Sequence, residues 1–160
     1  MNAEEFKKVA TELKERPIPG KHVYVWNGDE NALFEIVGKG LAQEFNLAKD
    51  IQVDESYDLN ETGFPRRIER ALEKKLFELY SEVSDREKQQ ILIVSSSSIL
   101  ARYKMGLTVF YDYYLGDRTM VVFVVPKPQV LANFPEYVRY YPDETLKYLG
   151  NLVQPENIVE

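Results

Sequence analysis

The chain has 160 residues, 44% hydrophobic and 29% charged, which suits one soluble α/β domain around one core. It has no cysteine and a single histidine, His22, so disulfides, thiolate metal sites and multi-histidine sites are excluded. A net charge of −6 makes the chain as a whole a poor grip for nucleic acid, because that affinity comes from Lys and Arg at phosphates.

Residues 3–15 predict an amphipathic helix, with Phe6, Val9, Ala10 and Leu13 on one face. Pro17-Ile18-Pro19-Gly20 ends it. Residues 22–26 read as a buried first strand, followed by Asn27-Gly28-Asp29-Glu30 and a helix expected over 31–45. Leu33, Ile36, Val37, Leu41 and Phe45 would face inward along that helix. Residues 51–53 predict a short second strand, and 54–63 a polar loop. Pro65 opens a long helix with the stripe Ile68, Leu72, Leu76, Leu79, Tyr80 and Val83. Residues 91–94 form a continuous apolar run, as in a central strand covered on both faces. After Ser95-Ser96-Ser97-Ser98 a helical stretch runs to Leu115, broken near Gly106. Residues 120–125 are another central strand, 127–141 are mixed, and 143–152 are a last short helix.

Alternating strands and helices imply a mostly parallel sheet of four or five strands, with helices on both faces. One domain over 1–160 is expected, with an N-terminal helix in 1–16 and a C-terminal helix and tail in 142–160. No apolar run approaches the roughly 20 residues that span a bilayer. The start, Met1-Asn2-Ala3-Glu4-Glu5, is no secretory signal, so the expected compartment is the cytoplasm.

The strand–loop–helix at 22–45 is the frame of a phosphate-binding P-loop, whose working form is G-x-x-x-x-G-K-[ST]. Counted from Gly28, Phe34 holds the lysine position and Glu35 the hydroxyl position. Asp29 and Glu30 place carboxylates where a helix dipole would otherwise draw an anion. Like charges about 4 Å apart cost about 4 kcal/mol at an effective dielectric of about 20. A simpler role for Asp29 is to cap the helix. The strand 91–94 ends in serines where a metal-binding acid would stand, and serine supplies no charge to a hard cation. The serines either line a pocket or cap the next helix, and no G-x-S-x-G elbow is present. Losing both the phosphate loop and the metal carboxylate predicts no phosphoryl transfer, hence no enzyme, no cofactor and no metal.

Aromatic density is the other signal. Tyr103, Tyr111, Tyr113, Tyr114, Tyr137, Tyr140 and Tyr141 are candidates for a partner-binding face, with Arg118 beside them. Ordinary packing is the competing account, and base stacking on exposed rings a third, which expects more positive charge than accompanies them. In Gly116-Asp117-Arg118-Thr119, Arg118 is either a phosphate sensor or part of a structural turn. The nearest approach to a basic patch is Pro65-Arg66-Arg67 with Arg70.

The chain resembles degenerate P-loop NTPases of the RecA/AAA class. More narrowly it resembles the small P-loop proteins (BrxF) of type 3 BREX phage-defence systems. That resemblance rests on Arg66-Arg67 and the helix after them, the strand 91–94, the stretch 100–115, Asp117-Arg118-Thr119-Met120-Val121-Val122, and Phe134-Pro135-Glu136-Tyr137-Val138-Arg139-Tyr140. It implies a non-catalytic accessory or adaptor subunit of a DNA-directed, antiviral complex, with protein partners, indirect contact with nucleic acid and no membrane. The alternative it leaves open is an ATPase or nucleotide sensor completed in trans by a partner. Gly28-Asp29-Glu30-x-x-Leu33 is also similar to the start of the clamp-loader delta-subunit N-terminal domain, which implies a scaffold without ATPase activity.

Overall fold

The computed structural model describes residues 1–38, 40–51, 60–85 and 87–160. Helix α1 (Ala3–Glu15) begins with a reciprocal cap: Glu5 N–H donates to Asn2 Oδ1 at 2.9 Å, and Asn2 N–H donates to Glu5 Oε2 at 2.8 Å. The helix buries Phe6, Ala10 and Leu13. Strand β1 (Val23–Trp26) is buried along its whole length.

Helix α2 (Glu30–Val37) is half as long as its sequence pattern predicts. Gly38 has φ +80°, in the left-handed region that glycine enters without penalty, and its N–H closes the last turn on the Phe34 carbonyl at 2.9 Å. Beyond it Leu41 lies in a turn and Phe45 belongs to an edge strand, β2 (Ala42–Asn46), in which Ala42 and Phe45 are half-buried and Gln43, Glu44 and Asn46 are exposed. The helix expected over 31–45 is therefore corrected to a helix, a glycine stop and a strand. Of the strand expected at 51–53, Ile51 lies outside any strand, and Gln52 and Val53 lie outside the described residues. So do residues 54–59 of the expected loop.

The long helix α3 (Phe64–Val83) follows with Pro65 in its first turn and the predicted stripe inward, Tyr80 half-buried. Strand β3 (Gln90–Ser95) leads to two short helices, α4 (Ser98–Arg102) and α5 (Thr108–Asp112). Lys104, at φ +53°, stands in the break between them, close to the predicted position. Strand β4 (Thr119–Val124) is followed by α6 (Pro128–Leu131) and α7 (Pro142–Gly150). A 3-10 turn at Pro155–Asn157 leads into β5 (Ile158–Val159), a two-residue strand too short to leave a periodic signal.

The five strands form one all-parallel sheet in the order β2-β3-β4-β1-β5. Val23 pairs with Val121 and Val25 with Phe123. Strand alternation divides the core in two. Tyr24, Trp26, Ile91, Ile93, Met120 and Val122 meet α1 and α2 on one face. Val23, Val25, Leu92, Val94, Val121 and Phe123 meet α3, α4, α5 and α7 on the other. The three-layer α/β expectation holds, and the sheet is fully parallel.

The chain leaves β1 toward the α1/α2 face and leaves β4 toward the opposite face. Between adjacent strands whose exits diverge in this way, the carboxyl ends open a crevice, the usual ligand position of doubly wound sheets.

Candidate functional site: a crevice between β1 and β4

The crevice has a volume of about 250 Å³. Gly28, Asp29 and Glu30 form one wall, Ser95 and Ser96 the base, and Lys127 and Phe134 enter from the side of α6. All four residues of the predicted loop, Asn27, Gly28, Asp29 and Glu30, thus sit at the topological switch point.

Their geometry opposes phosphate. Only Asn27, Gly28 and Asp29 separate the end of β1 from the first turn of α2. Asn27 continues the sheet, its N–H bonded to the Val159 carbonyl at 2.8 Å. Asp29 is the N-cap, accepting from Asn31 N–H at 3.2 Å, and its carbonyl accepts from Trp26 Nε1 at 3.1 Å. The Trp26 indole lies directly under the turn: a Cβ on Gly28 would stand 3.2 Å from Nε1. Phe34 and Glu35, the positions of the missing lysine and hydroxyl, fall in the second turn of α2, beyond the loop. A phosphate nest needs several consecutive free amides. Here a protein carboxylate already occupies the helix end, accepting from the Asn31 N–H as a bound anion would.

The electrostatics agree. Burial raises the Glu30 carboxyl above its ordinary range, and the Glu44 and Asp29 carboxylates push it further the same way. An added polyanion would meet the same penalty.

Three of the four serines, Ser96, Ser97 and Ser98, act as stitches and not as caps. Ser96, at φ +60°, donates to Asn46 Oδ1 at 2.7 Å, tying the end of β3 to the end of β2. Ser97 donates to the Val124 carbonyl, and Ser98 to the Val138 carbonyl at 2.8 Å. Ser97 holds the N-cap position of α4 without a side-chain cap bond, so the capping expectation is corrected. Ser95 and Ser96 border the crevice. Among the described residues no group of three or more His, Asp or Glu is arranged to hold a metal, and no helix is long and apolar enough to cross a membrane.

The predicted partner face separates into three environments. Tyr113 and Tyr114 are exposed at the amino end of β4, with Arg118 nearby in sequence and also exposed. Tyr140 and Tyr141 pair at 5.6 Å before α7, and Tyr141 is 71% exposed. Tyr103 and Tyr137 are structural: the Tyr103 hydroxyl donates to the Tyr137 carbonyl at 3.0 Å, and Tyr137 is buried against Phe64. Tyr111 is half-buried, and its hydroxyl is enclosed with no hydrogen-bond partner. Tyr103, Tyr111 and Tyr137 therefore leave the partner face. Arg118 precedes β4, at the opposite end of the sheet from the crevice, so a phosphate-sensing role there is corrected too.

Two contributors escaped the sequence reading. Phe77, 62% exposed on α3, continues an aromatic row through Tyr80 at 6.3 Å to Tyr113 at 5.9 Å. Arg102, Lys104 and Arg139 converge on one groove although 35 or more residues separate Arg139 from the other two. The Arg102-Tyr103-Lys104 triplet was the available signal. The expected basic patch is weaker: Arg67 pairs with Glu61 at 3.0 Å and lies over the Phe64 ring.

No protein-family model, no curated protein and no solved structure matches this chain.

Proposed function

We propose that the chain is a non-catalytic accessory subunit: a P-loop-like α/β scaffold that holds a partner protein instead of a triphosphate. The observation that carries this reading is the three-residue β1–α2 connection, closed by the Asp29 carboxylate and floored by Trp26. It occupies the position where a doubly wound sheet takes its ligand and leaves no room for a phosphate cradle. The partner would dock on the row Phe77, Tyr80 and Tyr113 with Tyr114, a surface of large rings that lose little conformational freedom on binding. A DNA-directed, antiviral complex is the setting implied by the BREX resemblance.

Titration of the purified chain with ATP and Mg²⁺ tests the first half. No heat of binding is expected up to millimolar nucleotide, and micromolar affinity would favour the ATPase or sensor reading. For the second half, Phe77→Ser with Tyr113→Ser should abolish copurification of the endogenous partner while the circular dichroism spectrum stays native. Undiminished copurification by a folded double variant would refute the assigned surface.

A further inference from the structure

A second concavity lies elsewhere and is larger than the crevice. A groove of about 900 Å³ lies between the start of α3, the end of α4, α6 and the start of α7. Arg102, Lys104 and Arg139 line it together with Tyr140 and Tyr141, and Glu69 is the one carboxylate among its described lining residues. On a chain of net charge −6 this is a local reversal of sign. No carboxylate among the described residues forms an ion pair with any of the three cations.

The two guanidinium groups are held in place by neutral partners. Arg102 Nη1 donates to the Arg139 carbonyl at 2.8 Å, and its guanidinium lies 6.0 Å from the Tyr103 ring centre. Arg139 Nε donates to the Phe134 carbonyl at 2.6 Å. Lys104 Nζ stands 5.9 Å from the Tyr148 ring centre. Carbonyls and ring faces orient these cations without neutralising them, so their charge remains available to an anion. Beside them the Tyr141 ring is largely open to solvent.

We infer that this groove binds single-stranded nucleic acid, with phosphates on Arg102, Lys104 and Arg139 and an unpaired base on the Tyr141 ring. Cations lining a groove beside an exposed aromatic face are the means by which single strands are held without sequence preference. A duplex keeps its base faces stacked inside and could not use Tyr141. An acidic peptide would use the cations alone. The inference stands on residues separate from the Phe77–Tyr113 row, so either can fail without the other.

The test is fluorescence anisotropy of the full chain with a labelled twelve-residue oligothymidylate, against a hairpin duplex and a polyglutamate peptide as competitors. Saturable binding at low salt is expected, with log K falling against log salt at a slope of about −2, from about 0.7 per neutralised phosphate. Tyr141→Ala should weaken binding by about tenfold, the scale of one lost base stack. That side chain is exposed, and only its backbone carbonyl bonds to Thr145, so the variant should fold. Lys104→Gln should make the slope shallower by about 0.7. Phe77→Ser should leave the affinity unchanged. Absence of binding at low salt would overturn the inference. So would tighter binding of the duplex or of polyglutamate, or an affinity indifferent to both Tyr141→Ala and Lys104→Gln.

Discussion

Two concavities flank α6, and among their described lining residues the balance of charge differs in sign: Asp29 and Glu30 outnumber Lys127 in one, and Arg102, Lys104 and Arg139 outnumber Glu69 in the other. The crevice on one side has about 250 Å³ and carries Asp29 and Glu30 on its wall, whereas the groove on the other has about 900 Å³ and carries Arg102, Lys104 and Arg139. In the crevice the turn is engaged by the chain's own groups: the Asp29 carboxylate accepts from Asn31 N–H, and the Asp29 carbonyl accepts from Trp26 Nε1. In the groove, cationic donors are held by carbonyls and retain their charge. The site position set by sheet topology is thus the one least suited to an anion, and the site suited to an anion lies where topology makes no prediction. A net charge of −6 averages over both and describes neither.

The largest effect should come from the floor of the crevice. Trp26 is buried, tilts against Phe6 at 5.5 Å, and supports the β1–α2 turn through its indole N–H. Trp26→Ala should cost about 3–5 kcal/mol in urea unfolding, the range for deleting a large buried aromatic. A loss below about 1 kcal/mol would mean that the turn stands without its floor, and the argument that the crevice is closed by packing would fall with it.

How far these features were readable from sequence follows from which forces set them. Helices α1 and α3 carry long apolar periods and their own caps or first-turn proline, and their bounds were legible to within a residue or so. Strands β1, β3 and β4 were legible because burial on both faces leaves continuous apolar runs. The stretch from α2 to β2 was not. Leu41 and Phe45 keep helical spacing with Leu33 and Val37, and the helix stops between them at Gly38, whose conformation leaves no mark in the apolar pattern. The loop at Asn27–Glu30 was legible as hostile to phosphate, since Asp29 and Glu30 announce their charge. The groove was not, because Arg139 reaches Arg102 and Lys104 only through the packing of α4 against α7.

Next in size is the cap. Asp29→Ala should lower stability by about 1 kcal/mol through loss of the bond to Asn31 N–H. Pairing Asp29→Asn with Glu30→Gln sharpens the comparison, since it removes the crevice's negative charge and keeps the short turn. ATP with Mg²⁺ should still fail to bind this double variant in calorimetry. Micromolar binding would show that charge alone had closed the site and that the length of the turn was irrelevant.

Tyr111 separates exposed aromatics from buried ones. Its hydroxyl is enclosed without a partner, and burial raises its pKa above that of free tyrosine. Tyr111→Phe removes an unsatisfied polar group at nearly constant shape, so stability should rise by up to about 1 kcal/mol in thermal or urea unfolding. Oligonucleotide affinity and partner copurification should both be unchanged. A clear loss of stability would place an unseen partner at that oxygen.

The smallest expected effect decides between two forces at one residue. Glu30 begins α2, where the helix dipole favours a carboxylate by roughly 0.3–1 kcal/mol. Burial and the neighbouring Glu44 and Asp29 act against it and raise its pKa in the fold. A carboxyl with a raised folded pKa binds its proton more tightly folded than unfolded. Wild-type stability should therefore fall as pH rises from the ordinary glutamate value through the raised one. Glu30→Gln removes that dependence, so the variant should gain on wild type between pH 4 and pH 7 and melt at an equal or higher temperature at neutral pH. If the variant instead loses ground as pH rises, the dipole prevails at Glu30. The first turn of α2 would then favour negative charge, and the electrostatic part of the case against phosphate in the crevice would be reversed, leaving only the three-residue turn to exclude it.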